Sequence, residues 1–260
     1  MPSSPDFAGV TELAGDPASR EQIERLYRRY YWAGRYVRGA DVLEVACGAG
    51  QGLGFLASVA NSVRAGDVSE VVLETARRHY GERIELGRLD AEQLPYPDAM
   101  FDVVIMFEAI YYVRHVNRFL REARRVLRPG GYLLIATANK DLFDFTPSPH
   151  SVDYYGIPEL EMMLREAGFS ASFFGDTPLA AVSLWQRLLR PVKLVANVTG
   201  IMPKSKRMKA LLKRVVFGPI RPLPAEIAAG AEVGPDPTPL VAALRNTEYK
   251  VIFCEARCGF

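Results

Sequence analysis

The chain has 260 residues, 49% of them hydrophobic, and a formal net charge of +2, which suits one large α/β domain with a sizeable core. Its three cysteines (Cys47, Cys254 and Cys258) are odd in number and poorly spaced, excluding a disulfide framework, and the scattered His79, His115 and His150 suggest no metal cluster. No apolar run approaches the roughly 18 residues of a membrane span, and the N-terminus lacks a charged-then-apolar leader, so a cytoplasmic location is expected.

In chain order, residues 1–20 contain Pro, Ser and Gly and are expected to be loosely held. Glu21 to Tyr36 is expected to form an aromatic, basic helix with Ile23, Tyr27, Tyr30 and Tyr31 on one face. An apolar strand follows, running through Glu44 into the small residues Ala46-Cys47-Gly48-Ala49-Gly50-Gln51-Gly52 and a helix start. Small residues let a nucleotide-like ligand lie against the backbone, and the helix N-terminus offers unpaired N–H groups. The register lacks the third glycine of G-x-G-x-x-G, which argues against a nicotinamide dinucleotide.

The second strand, Ser62 to Ala65, ends in Gly66-Asp67, where a carboxylate can accept from both ribose hydroxyls or can cap the following helix, a role open also to Ser69. Ile84-Glu85-Leu86 reads as a third strand, followed by Asp90-Ala91-Glu92-Gln93-Leu94-Pro95 in a loop. Phe101 to Phe107 is apolar enough for a strand buried on both faces, and Arg128-Pro129-Gly130-Gly131 turns into a fifth strand, Tyr132 to Thr137. A Pro-rich loop, 139–151, leads to a helix over Ile157 to Ala167 and a sixth strand over Phe169 to Phe174. Glu248 to Ala256 reads as a seventh strand.

Between the sixth and seventh strands lies an expected helical, basic insert, residues 176–246, flanked by a core over 21–175 and a final core strand over 247–260. Thr177 to Ala225 holds ten basic residues and no acidic one, so the rest of the chain is net acidic. Lys204 to Phe217 sets Met208, Leu211, Leu212, Val215 and Val216 on one helical stripe. The stripe reads as a lid helix packed on the core with solvated charges, as recognition of an anionic or carrier-linked acceptor, or as peripheral docking on an anionic membrane; Trp185, Leu188 and Leu189 suit either a lid or an interface. No nucleic-acid-reading module accompanies the charge.

Taken in order, Asp90-Ala91…Leu94-Pro95, Phe101-Asp102-Val103-Val104-Ile105 and Leu127-Arg128-Pro129-Gly130-Gly131 resemble the class I S-adenosylmethionine-dependent methyltransferases, in particular the methyltransferase type 11-like bacterial group acting on small molecules. The resemblance implies a Rossmann-like, doubly wound, seven-stranded sheet whose last strand runs antiparallel between the fifth and sixth, with S-adenosyl-L-methionine as cofactor. It implies that Glu44 orients the glycine loop and the methionine end, that Gly48 and Gly50 are the two later loop glycines, and that Ala46 stands for the first. Asp67 matches the ribose-binding acid, with Val68 beside it; Asp90 and Ala91 match the adenine contacts, and Phe107 lies beside the methionine portion. The Arg29-Tyr30 pair resembles a cofactor-covering helix, which would bring Tyr30 or Tyr31 near the sulfonium.

Methyl transfer is an in-line displacement, so positioning supplies much of the rate and an oxygen acceptor wants a base. Relatives often carry a His after the fourth strand; here Tyr112 holds that place and His115 falls later. Glu108, Tyr112 and His150 are the catalytic candidates, with Tyr154 and Tyr155 also on the acceptor side. The expected activity is O-methylation of a sugar or natural product. The alternatives are N- or C-methylation, and a cofactor-binding protein with a non-methylating or docking role.

Overall fold

The computed structural model describes residues 7–179, 219–228, 230–231 and 234–259. Its elements are β1 (Pro17–Ser19), α1 (Arg20–Val37), β2 (Asp41–Val45), α2 (Leu53–Val59), β3 (Ser62–Asp67), α3 (Glu70–Tyr80), β4 (Glu85–Arg88), β5 (Phe101–Phe107), α4 (Val116–Val126), β6 (Leu127–Ala138), α5 (Ile157–Glu166), β7 (Phe169–Pro178), β8 (Ile220–Pro222), β9 (Thr238–Leu240) and β10 (Tyr249–Cys258). The large sheet runs β4-β3-β2-β5-β6-β10-β7-β9. Its β4 to β6 pairs are parallel, and β10 is antiparallel to both β6 and β7.

Strand alternation distributes the core to the two faces of this sheet. Leu43, Val45, Val104 and Met106 pack with α4 and α5, against Phe119, Leu120, Leu160 and Leu164. Val42, Val103, Ile105 and Phe107 face the other way, against Leu26, Trp32 and Val37 of α1 and Leu53 and Leu56 of α2. Glu44 shares parity with Val42 and so stands on the α1 side, the one charged residue among the four buried positions of β2.

Helix α1 starts at a capping box. The Ser19 side chain accepts from the Gln22 N–H, and the Gln22 side chain accepts from the Ser19 N–H. The Arg28 guanidinium, reaching Asp176 on β7 at 2.7 Å, and Lys250 on β10, reaching Glu21 at 2.7 Å, fix α1 across the sheet.

The sheet has eight strands where seven are expected, because Thr238–Leu240 pairs with β7 and covers its edge. Three residues containing Pro239 carry no alternating pattern; proline is tolerated there because an edge strand pairs on one side only. Strand β7 continues to Pro178, past the expected core boundary at 175. Segment 7–19, expected to be loose, folds onto the domain: Phe7–Gly9 is a 3-10 turn and β1 pairs antiparallel with β8. The stripe at 204–217 and Trp185, Leu188 and Leu189 lie outside the described residues. Within 176–246 the described residues contribute the end of β7 and strands β8 and β9. Among the described residues no helix is long and apolar enough to cross a membrane.

Candidate active site

A cavity of 510 Å³ opens at the carboxyl ends of β2, β3 and β5, where open α/β sheets place their ligands. Beyond β2 the backbone turns sharply, with Ala46, Gly48 and Gly50 at φ of 57°, 58° and 80°. Glycine reaches that left-handed region without cost, whereas Ala46 does so against its Cβ. The turn is locked from outside: Cys47 N–H donates to the Gly66 carbonyl on β3 at 3.0 Å, and Gly48 N–H donates to Asp67 Oδ2 at 3.0 Å. Asp67 Oδ1 accepts from Ser69 N–H at 2.8 Å, so the carboxylate is held by two backbone donors and aimed at the cavity. Burial raises its pKa, opposed by those bonds.

At the inner end, the Tyr30 hydroxyl donates to Glu44 Oε1 at 2.6 Å. Gly52 makes this contact sterically possible, since a Cβ there would fall inside the Tyr30 ring. Glu44 is 2% exposed, and burial lifts its carboxyl to about 7 against the Tyr30 hydrogen bond and the Arg29 charge. Its Oε2 and the buried Arg29 Nε have no hydrogen-bond partner among the described residues. Burial opposes the Arg29 charge, but Tyr30, Glu12, Glu108 and Glu44 outweigh it and raise its pKa. One unsatisfied acceptor and one unsatisfied cationic donor therefore line the same cavity, a donor set that fits a zwitterionic amino-acid group. Phe107 stands edge-on to Tyr30 at 5.4 Å and forms a dry wall beside them.

The other wall follows β5. Glu108 adopts a left-handed φ of 52°, uncommon for a residue with a side chain. Its Oε2 accepts from the Tyr111 hydroxyl at 3.2 Å, and Tyr111 stacks on Tyr154 at 4.3 Å. Tyr112 and Ser148 share a hydroxyl–hydroxyl bond of 2.6 Å, with burial raising the Tyr112 pKa. The Tyr154 hydroxyl accepts from Ser148 N–H at 3.1 Å, so Tyr154 braces the loop rather than facing the cavity.

Of the expected site residues, Tyr30, Glu44, Ala46, Gly48, Asp67, Val68, Asp90, Ala91, Phe107, Glu108 and Tyr112 line this cavity. Gly50 lies behind it, its carbonyl accepting from the Tyr80 hydroxyl at 2.6 Å. His150 is exposed and outside the lining, its ring edge-on to Phe7 at 6.5 Å on a strained loop position with φ of 67°. Tyr31 points away, stacking on Phe55 at 4.6 Å and donating to the Ala228 carbonyl. His115 is bound to Glu92 through Nδ1 at 2.7 Å. Sequence reasoning missed the roof made by Phe7, Val10, Thr11 and Glu12, and also Gln51, whose amide donates to the Glu12 carbonyl at 2.6 Å. A segment without periodicity gives no local signal that it covers a cavity.

The sequence profile of the methyltransferase domain family matches residues 43–135, the stretch that supplies Glu44, the glycine turn, Asp67, Asp90 and Glu108. A probable S-adenosylmethionine-dependent methyltransferase of Mycobacterium tuberculosis is 38% identical over 133 residues, 50% of this chain and 48% of that protein. A second, from Mycolicibacterium smegmatis, is 32% identical over 65% of this chain and 67% of its own length. A phthiotriol/phenolphthiotriol dimycocerosates methyltransferase of Mycobacterium ulcerans is 43% identical over 60% of this chain and 57% of that protein. The chain thus spans between about half and two thirds of these relatives. Among solved structures, a putative methyltransferase from Bacillus halodurans shares the fold, with a TM-score of 0.56 and 22% identity over 90% of this chain and 99% of that one. With the family profile matching the stretch that builds the turn and the acids, and a relative 32% identical over 67% of its length, the chain belongs to the S-adenosylmethionine-dependent methyltransferases.

Proposed function

We propose that this protein transfers a methyl group from S-adenosylmethionine to an oxygen of a small-molecule acceptor, a sugar or natural product, with an anionic or carrier-linked acceptor favoured. The observation that carries the cofactor half is the pair of unsatisfied atoms, Glu44 Oε2 and Arg29 Nε. Glu44 would take the ammonium and Arg29 the carboxylate of the methionine portion. Asp67 would accept from the ribose, with Val68, Asp90 and Ala91 at the adenine and Gly48 letting the backbone come close. When bound, the cofactor supplies a methyl group already activated on a sulfonium.

The chain's own part is then to hold the acceptor in line and take its proton. Glu108 supports that reading best, as a carboxylate at the cavity wall directly after a buried strand, steadied by the Tyr111 hydroxyl. Its strained backbone is the kind of cost that clusters at functional sites. Tyr112, protonated through burial, would donate to or orient the acceptor. His150 is not supported as the base, since it stands outside the cavity lining. The Mycobacterium ulcerans relative's name, a dimycocerosate methyltransferase, supports a natural-product acceptor.

The test is transfer of a labelled methyl group from S-adenosylmethionine into fractionated extract of the source cells, with Asp67→Ala as control. Label in one fraction, absent with the variant, supports methyl transfer and gives the acceptor class. Binding of the cofactor with no label in any fraction counts against it and favours a non-methylating use of the site.

A further inference from the structure

The two ends of α4 use their arginines differently. At the C-terminal end, Arg125 donates to Glu122, Asp98 and the carbonyls of Leu94 and Tyr96, all at 2.7–3.0 Å. Next in sequence, Arg128 on β6 reaches Asp102 and Asp41 at 2.6 and 3.0 Å. These guanidinium groups are consumed by the fold. At the N-terminal end, Arg114, Arg118 and Arg121 line a second, open concavity of 410 Å³, to which Tyr155 and Met163 from the α5 region also contribute. Glu92 is bound to His115 at 2.7 Å and stands 3.8 Å from Arg118; Arg114 and Arg121 have no ion-pair partner among the described residues. Arg114 also lines the first cavity, two residues beyond Tyr112 on the proposed acceptor wall.

We propose that this second cavity is the subsite for a phosphate or diphosphate group carried by the acceptor, with Arg114 joining it to the methyl-transfer cavity. The inference rests on the methyltransferase reading and deepens it by assigning the anionic part of the acceptor to α4. Glu92 offsets only part of the charge of the three guanidinium groups, at Arg118; Arg114 and Arg121 keep theirs without an ion-pair partner among the described residues, and planar guanidinium donors pair with phosphate oxygens two at a time. The cofactor does not account for them: it carries a single carboxylate, to which Arg29 is already assigned. Tyr155 and Met163 give the concavity an apolar wall, suited to the organic part adjoining the phosphate. The phosphate could belong to a phosphorylated small molecule or to a lipid headgroup, and the chemistry recognised is the same.

The experiment compares the full chain with its Arg114→Gln/Arg118→Gln/Arg121→Gln variant, both saturated with S-adenosylhomocysteine at low salt. Inorganic pyrophosphate is titrated calorimetrically, and sedimentation with phosphatidylglycerol or phosphatidylcholine vesicles is measured in parallel. All three arginines are exposed, so folding is expected to survive, and the single Arg121→Gln variant should give an intermediate loss. Reading the difference between proteins removes the contribution of the chain's other basic residues. The expected result is at least tenfold weaker pyrophosphate binding in the triple variant, with S-adenosylhomocysteine affinity unchanged. Vesicle binding equal in both proteins then assigns a soluble phosphorylated acceptor. Phosphatidylglycerol binding that is lost in the variant and displaced by pyrophosphate assigns a headgroup. Equal pyrophosphate and vesicle binding by both proteins overturns the proposal. Failure of the wild type to bind S-adenosylhomocysteine would instead strike the methyltransferase reading, while the pyrophosphate difference would still report the subsite.

Discussion

The two walls of the main cavity are built by different means. On the β2–β3 wall, backbone groups hold the functional atoms: Asp67 is fixed by two N–H donors, and the glycine turn by a carbonyl of the neighbouring strand. On the β5 wall, side chains hold one another: Tyr111 holds Glu108, Ser148 holds Tyr112, and Tyr154 holds the loop. A backbone-held wall specifies a ligand that never changes. A side-chain-held wall can be rebuilt by substitution without disturbing the sheet, as one fold serving different acceptors requires.

Substitution on either wall tests this division. The largest effect is expected from Glu108→Gln, which should lower methyl transfer by about 10²–10⁴-fold, the range of general-base catalysis, while leaving cofactor affinity unchanged by calorimetry. Loss of cofactor binding in that variant would show that the walls are not separable. Next is a pH effect at Glu44. Its carboxyl is raised to about 7 in the folded protein, so the folded state holds a proton that the unfolded chain releases near its ordinary value. The Glu44 contribution to ligand-free stability should therefore be largest at acidic pH and fall by about 3 kcal/mol as pH rises from about 4.5 through 7. Glu44→Gln should flatten that slope in denaturant titrations at several pH values.

Gly52→Ala sets a methyl group into the Tyr30 ring and should destabilise by about 2 kcal/mol through overpacking, breaking the Tyr30–Glu44 bond and weakening cofactor binding in the same titration. A smaller effect of opposite sign is expected from Ala46→Gly. Relief of the left-handed strain exceeds the entropy glycine adds to the unfolded chain, raising stability by about 0.5–1 kcal/mol in thermal melts. His150→Ala, outside the lining, should leave single-turnover methyl transfer unchanged across pH.

The same division governs what could be read from the chain. Strand β2, the small-residue turn and Asp67 are legible because backbone conformation and burial limit which residue types can stand there. The alternation that buries Val42 also sends Glu44 to the α1 side, and the capping residues Ser19 and Gln22 mark where α1 begins. The acceptor wall was legible only as a set of candidates. Glu108 and His150 are both polar residues in loops, and only the packing of Phe7, Tyr111 and Tyr154 sets one in the cavity and the other outside it. The roof over 7–12 and strand β9 depend on contacts with distant segments, which no local pattern encodes.

The place of β10 bears on how the molecule is made. Strands β6 and β7 flank it and do not pair with each other, so their facing edges stay unpaired until residues 249–258 have left the ribosome and slid between them. A nascent chain halted before that point exposes two apolar strand edges, templates for aggregation. The main sheet therefore completes itself late, by insertion rather than by growth from one side. Refolding should be slow for a chain of this size, because the pairing on which the sheet depends joins segments more than a hundred residues apart at β6 and β10.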